Sequence, residues 1–497
     1  MKFSQKRFFE ILPGATTWTV LLLATLFSFI RPLWMVYFII VFDLYWLLRI
    51  TYFAPFLILS WWRYRKAIKR DWESEARLLP HYDKLRHVIF LPTYKEPLEV
   101  IRETLHSLSK TTYPSERMFI VIAGEGRDEA NFRTIVDTVF PEFQGVFAGL
   151  YSTVHPAGLP DEIPGKGSNL NFAAKVIEPT LLAAGIDPDW TVVSSFDIDT
   201  IVHPQYFSSV SWEYLNAPVP TRCSYQPVAL YNNNLWESPA AVRVAMFGTT
   251  FWLMTELARP EGMMTFSSHS MSLRMLMDVG YWQKDIVSED SRIFLQGLVR
   301  YHGDYHVIPI HLPVSMDTVM TGKYFQALPA LYKQLRRWAW GVENFPYMIE
   351  KFSKDKEMPR WEKTVWIFKQ FEGTLTWATA PLLITVLGFL PFFVAPEAFR
   401  SYAIFQNTPF TLQWLMRLSL LGMFVSAGLA LTLLPPIPHR YPRPFAYLTI
   451  VLQWLLAPVT LILFGSIPAI DAQTRMMLNK PLGFNVTLKR KETKQRS

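Results

Sequence analysis

One cysteine, Cys223, in 497 residues excludes an intrachain disulfide and any zinc site built from cysteines. It lies in a strand-like run and reads as a packing residue. Charge is scarce as well. Asp, Glu, Lys and Arg make up 18% of the chain, against about a quarter in soluble proteins, so a sizeable part of the sequence avoids water. Half the residues are hydrophobic and 15% are aromatic. The formal charge of +8 points to an anionic partner. Its basic residues crowd the ends of apolar runs, which favours a membrane over nucleic acid. Between Glu73 and about Met348 long apolar runs are lacking, so the chain divides into membrane and water-facing parts.

The apolar runs cover Ala15 to Ile30, Leu33 to Trp62, Gly373 to Ala395, Phe410 to Leu434 and Phe445 to Ile470. Arg31-Pro32 predicts a very tight turn between the first two. The first run has no small-x-small site after it and a second run follows at once, so it reads as an anchor rather than a cleaved signal. Lys2, Lys6 and Arg7 precede this pair and Arg63-Tyr64-Arg65-Lys66 follows it, which places the N-terminus and the central region in the cytoplasm. Asp43 inside the second run either lines a pathway or is solvated near an interface. Three late spans would put the C-terminus outside, yet Lys489, Arg490, Lys491, Lys494 and Arg496, with His439, Arg440 and Arg443, favour the inside. Pro458 offers a way out, as a break that makes the last run re-entrant or interfacial. Five and six crossings both remain open on sequence.

The middle alternates short apolar runs with polar helical stretches. Strands are predicted at His87 to Tyr94, Met118 to Ala123, Leu150 to His155, Thr191 to Asp197 and Arg222 to Leu230. Helices are predicted at Pro97 to Lys110, Glu129 to Val139 and Ser168 to Ala184. That alternation predicts a mainly parallel α/β sheet whose ligands gather beyond the C-terminal strand ends. Tyr94 and Glu96, Glu125, and Asp197-Ile198-Asp199 fall at such ends.

Asp197 and Asp199, one residue apart, suit a divalent cation that neutralises a departing diphosphate; alone the pattern equally fits a capped turn. Gly165-Lys166-Gly167-Ser168 fails the phosphate-loop pattern, because Gly167 stands where Ser or Thr is needed and Pro160 where a glycine is. Lys166 before a helix still suits a phosphate. Ser288-Glu289-Asp290 supplies a carboxylate suited to a general base, or simply a helix cap. Gln334-Leu335-Arg336-Arg337-Trp338 lies on an amphipathic helix with Phe325, Leu328, Tyr332, Leu335, Ala339 and Val342 on its apolar face. Arg337 suits a diphosphate and Trp338 a sugar ring; the plainer reading is a basic helix resting on a membrane. A second amphipathic stretch, with Trp361, Val365 and Phe368, leads into the late spans.

In this order the motifs resemble the family 2 membrane glycosyltransferases, which include cellulose, hyaluronan and chitin synthases. Pro92-Thr93-Tyr94-Lys95-Glu96 is similar to the family's Pro-x-Tyr-Asn-Glu element and Lys166 with Leu170-Asn171 to its Lys-x-x-x-Leu-Asn element. Asp197 and Asp199 match the metal pair, Glu289-Asp290 the Thr-Glu-Asp element, and Gln334, Arg337 and Trp338 the Gln-x-x-Arg-Trp signature. The resemblance covers roughly Val88 to Gly341. It implies an integral membrane protein with an α/β GT-A-like (Rossmann-related) catalytic domain inserted between transmembrane helices. The implied layout is 1–62 (two N-terminal transmembrane helices), 63–350 (cytosolic catalytic domain), 351–372 (interfacial helix), 373–470 (C-terminal transmembrane helices) and 471–497 (basic tail).

The resemblance also implies roles. Tyr94, Glu96, Glu125, Lys166, Gln334 and Arg337 would bind a UDP- or GDP-sugar, and Asp197 and Asp199 would hold Mg²⁺ or Mn²⁺. Asp290 would be the base of an inverting transfer; Trp338 and His269 would meet the acceptor. Where the family has Asp-Asp-Gly this chain reads Gly124-Glu125-Gly126, which leaves the donor nucleotide open. The implied product is a growing polysaccharide at the cell membrane, with an accessory export subunit as a possible partner and no nucleic acid. Two alternatives stand beside it: a glycolipid synthase of the ceramide-glucosyltransferase type, and a transporter whose soluble domain is regulatory.

Overall fold

The computed structural model describes residues 3–320, 326–439 and 442–483. Phe325, Arg440 and the basic run from Lys489 to Arg496 lie outside the described residues. At the centre is an eight-stranded sheet: β1 (Arg86–Pro92), β2 (Met118–Glu125), β3 (Gly149–His155), β4 (Thr191–Ser195), β5 (Ile201–Val202), β6 (Cys223–Tyr231), β7 (His269–Ser272) and β8 (His306–Met316). Their order is β3-β2-β1-β4-β7-β6-β8-β5. β1 to β4 pair parallel and β6 pairs parallel with β8, while β7 runs antiparallel between β4 and β6. β6 and β8 therefore point the same way as β1 to β4. The predicted mainly parallel sheet is a mixed one, with β7 and the edge strand β5 reversed.

The apolar runs in the strands are continuous because both faces are covered. In β1, Val88 and Phe90 enter one core while Ile89 and Leu91 enter the other, the two-residue alternation of a strand. The first core is covered by the helices Lys166–Ala183, Ala240–Leu257 and Glu289–Arg300, the second by Leu98–Ser109, Glu129–Val139 and Tyr206–Asn216. Phe90 is 2% exposed and meets the Trp282 ring at 5.8 Å; truncating it to alanine costs about 3–5 kcal/mol.

Among the described residues, five helical runs are long and apolar enough to cross a membrane: Gln5–Ile30, Pro32–Ala67, Arg360–Val394, Ala403–Thr432 and Arg443–Met477. The first two are separated by Arg31 alone, with Pro32 at the first position of its helix, where a missing N–H costs nothing. Asp43 is 6% exposed and faces helix packing rather than water. The stretch of Trp361, Val365 and Phe368 is continuous with the span after it, in one helix Arg360–Leu382, and its apolar stripe is exposed.

The last run stays helical through Pro458, which sits in the first turn of the short piece Ala457–Thr460. Parts near both of its ends meet the domain built on the sheet. Near the start, Arg243 Nε donates to Gln453 at 2.7 Å and Trp454 stacks on Phe251 at 5.9 Å. Near the end, Asp471 accepts Arg336 at 2.8 Å and Tyr332 at 3.0 Å, and Met476 accepts Arg7 from the N-terminal helix at 2.9 Å. On its other side Phe445, Leu448, Leu452, Leu455, Val459 and Leu463 form an exposed stripe at three- and four-residue spacing.

Candidate active site

Because six strands share a direction, their C-terminal ends meet at one edge, and a cleft opens there. Tyr94 and Glu96 follow β1, Glu125 ends β2, Asp197 and Asp199 follow β4, Tyr231 ends β6 and Asp317 follows β8. Glu289 and Asp290 arrive on the first turn of the helix Glu289–Arg300. Gln334, Arg337 and Trp338 come from the helix Ala327–Ala339. All of these line the cleft, as does Lys166 from the start of the helix Lys166–Ala183, so ten of the eleven predicted site residues come together.

The exception is His269. It is fully buried within β7, where its Nδ1 bonds the Phe266 carbonyl at 2.8 Å and lies 4.0 Å from Asp290. Burial lowers its pKa to about 4. A ring with no exposed surface cannot touch an acceptor, and the expectation for His269 is corrected accordingly.

Lys166 is the hub of the site. Its ammonium lies 2.9 Å from Asp197, 2.9 Å from Asp290 and 3.8 Å from Glu289. Burial by itself would lower the lysine pKa, but the three carboxylates outweigh it and hold the group firmly protonated. Glu289 feels the opposite balance: burial first, then the Asp290 charge, raise its pKa. The glycine pattern that failed as a phosphate loop has a packing cause. A Cβ at Gly167 would stand 2.9 Å from the Gln283 carbonyl and 3.1 Å from Glu289 Cβ, so glycine lets this helix start reach the acidic turn.

The departure at Gly124 is also steric, since a side chain there would collide with the Phe132 ring at 2.5 Å. Glu125, 3% exposed, instead meets Arg127 at 3.2 Å, and the Arg127 guanidinium lies 4.6 Å from the centre of the Tyr94 ring. That end of the cleft offers an aromatic face beside a charge pair.

At the opposite end Trp338 packs against Tyr231 at 5.8 Å and edge-on against Phe266 at 5.7 Å. Such a wall suits the apolar face of a sugar ring. Phe266 opens the stretch Phe266 to Arg274, which resembles the family's acceptor-side segment, whereas Tyr231 and Asp317 had no motif to announce them. Asp317 is 2% exposed and its backbone N–H donates to Asp199 at 2.8 Å.

Glu343 was likewise missed. Its Oε1 accepts the N–H groups of Val287 at 3.1 Å and Ser288 at 2.9 Å and the Ser288 hydroxyl at 2.6 Å, while Oε2 accepts Trp340 Nε1 at 2.9 Å. Asn344 beside it bonds Ser291 at 2.9 Å and Arg292 at 2.8 Å. These two residues clamp the Asp290 turn to the chain that follows Trp338. Only a pairing three-dimensional partner reveals such a role; in sequence Glu343 is one more polar helix residue.

Asp197 and Asp199 fit a hard divalent cation, both being oxygen donors at the cleft wall. Ser267 fixes Asp197 by donating to Oδ2 at 2.7 Å. Among the described residues no group of three or more His, Cys, Asp or Glu could hold a metal alone.

No family model and no curated protein matches the chain. Similar folds among solved structures include a mannosyltransferase from Pyrobaculum calidifontis in complex with GDP-Man and Mn²⁺. It is 14% identical, with a TM-score of 0.41, over 78% of this chain and 99% of that one. Another is S. aureus TarS 1–349 in complex with UDP-GlcNAc, 11% identical, with a TM-score of 0.34, over 69% of this chain and 90% of that one. At this level of likeness the function must be read from the cleft itself.

Proposed function

We propose that the chain is a membrane-bound inverting glycosyltransferase that adds a hexose-type sugar from a nucleoside diphosphate donor to a growing polysaccharide. The observation that carries this reading is Lys166 joining Asp197 and Asp290 at the centre of a cleft walled by Arg337 and Trp338. Tyr94, Glu96 and Glu125 lie where they can border the nucleoside, and Lys166, Gln334 and Arg337 where they can hold the diphosphate. Trp338, with Tyr231 and Phe266, receives the acceptor sugar. The acceptor hydroxyl attacks the anomeric carbon, its proton passes to an Asp290 oxygen, and the bond from that carbon to the diphosphate breaks. Asp197 and Asp199 would hold Mg²⁺ or Mn²⁺, which when bound would neutralise charge on the departing nucleoside diphosphate. The leaving group also meets the cations of Lys166 and Arg337.

The membrane reading is four crossings, with Arg443–Met477 lying along the cytoplasmic surface between bilayer and catalytic domain. Support comes from the domain contacts at both ends of that run and from the apolar stripe on its outer side. The arrangement removes the conflict between an odd number of spans and a basic C-terminal tail.

Purified full-length protein incubated with labelled nucleotide-sugars, with products sized, tests the reaction. Polymer is the expected product; labelled lipid carrying a single sugar would replace the polysaccharide reading with the glycolipid one. Removing divalent cations with a chelator is expected to abolish transfer, and Mn²⁺ or Mg²⁺ to restore it. Undiminished turnover in chelator would refute the role given to Asp197 and Asp199.

A further inference from the structure

Behind the helix Glu289–Arg300 a second cleft of about 910 Å³ opens. The helix Asn344–Lys354, the first turns of the N-terminal helix and the chain after Met476 close its other sides, which puts it beside the membrane segments. Eight lysines and arginines line it against five aspartates and glutamates. The acids are engaged elsewhere. Glu10 pairs with Arg7 at 2.8 Å, Asp278 accepts the Tyr301 hydroxyl at 2.8 Å, Asp285 accepts Gln283 at 2.8 Å, Glu350 takes Lys354 at 2.8 Å and Glu343 caps the Asp290 turn.

Arg7 shares in one of these pairs and Lys284 lies 4.0 Å from Glu162, but the other cations are not so paired. Among the described residues, Lys175, Arg300, Lys351 and Lys480 have no carboxylate within 4.0 Å. Deeper in, Arg292 is 3% exposed, and its guanidinium donates only to neutral oxygens: Gln283 at 2.7 Å, Asn344 at 2.8 Å and the Glu343 carbonyl at 3.2 Å. Its remaining contact is the Tyr347 ring, 4.0 Å away. Burial pulls its pKa below the ordinary arginine value. The charges of Glu343 and Asp285 offset that burial only in part, and an anion in the cleft would complete the balance.

We propose that this cleft binds a phosphate-bearing anion, with Arg292 at the floor and Lys175, Arg300, Lys351 and Lys480 around the rim. Guanidinium groups match phosphate oxygens in a two-pronged geometry, and the volume admits a headgroup or a nucleotide. The same chemistry comes from two sources: an anionic lipid at the bilayer surface, or a soluble phosphate compound. An anion on Arg292 is one hydrogen bond from Glu343, so occupancy reaches the turn that carries Asp290.

The test compares full-length wild type with the triple variant Lys175→Gln/Arg300→Gln/Lys351→Gln, whose positions lie outside the Asp290 cleft. One arm measures retention of phosphatidylglycerol against phosphatidylcholine in nanodiscs. The other titrates inorganic pyrophosphate in the presence of EDTA. Wild type is expected to bind at least one probe 10-fold or more tighter than the triple variant; a lipid-only difference identifies a headgroup site and a pyrophosphate difference a soluble ligand. Pyrophosphate on Lys166 and Arg337 would bind both proteins alike. If the triple variant melts early, Lys351→Gln/Lys480→Gln replaces it with the same expectation. Equal affinities of wild type and variant in both arms would overturn the proposal. Neither arm requires sugar transfer, so the result stands apart from the fate of the glycosyltransferase reading.

Discussion

Lys166 faces three carboxylates at once, and the charge balance of the cleft depends on it. Asp197 and Asp290 are each within hydrogen-bond distance of its ammonium, whereas Glu289 at 3.8 Å is buried deeper and is less well compensated. Because the folded-state pKa of Glu289 is raised above its ordinary value of 4.5, the native protein holds that proton more tightly than the unfolded chain does. Stability is therefore lost as pH rises from about 4.5 through the raised native value. Glu289→Gln is expected to melt higher than wild type at pH 8 and to show a flatter dependence of Tm on pH. A variant that melts lower than wild type at pH 8 would contradict this balance.

At this scale the sequence was most legible where chemistry fixes residue types at fixed spacing. Asp197 with Asp199, Glu289 with Asp290, and Gln334 with Arg337 and Trp338 all line one cleft. Tyr231, Asp317 and Glu343 were illegible because each acts through partners far along the chain. His269 misled for a related reason: it neighbours Ser267 and Ser268 in sequence, but β7 carries its ring inward.

Among elements, the helix Glu289–Arg300 and the chain after Trp338 act as a unit, joined by Glu343 and Asn344. A misplacement of about 1 Å at a reacting group costs on the order of 100-fold in rate. Glu343→Ala is expected to lower kcat by about 10- to 100-fold while leaving the donor KM within about twofold, since the nucleoside end of the cleft is untouched. Parallel loss of donor affinity and melting temperature would show a structural role alone.

β1 to β4 and β6 were readable as apolar runs at regular intervals. β8 was hidden by Pro309 and Pro313, which break the usual strand signature, and the ladder with β6 shifts register at Pro227/Val228. β7 has four residues, too few for a period to show. With β7 unseen, its reversal of the parallel order was unseen too.

For the whole molecule, the proposed function requires that the sheet domain sit on a bilayer. Hydropathy alone counts Arg443–Met477 as a span, because apolar length does not distinguish a helix crossing lipid from one lying on it between lipid and protein. Contacts with Arg243 and Arg336 support the surface-lying reading proposed above. Tags at the N- and C-termini are expected to be accessible from the cytoplasmic side, and a tag between Ala395 and Ala403 from the opposite side. A C-terminal tag protected from the cytoplasm would restore a fifth crossing.

The central claim, that this cleft transfers sugar with Asp290 as its base, is tested most directly by one paired assay. Wild type and Asp290→Asn, matched for melting temperature and donor-nucleotide binding, are supplied with labelled nucleotide-sugar in membranes. Wild type is expected to form labelled product and the variant to lose at least about 100-fold in rate. Transfer by the variant at the wild-type rate, or no transfer by wild type from any donor, would contradict the account.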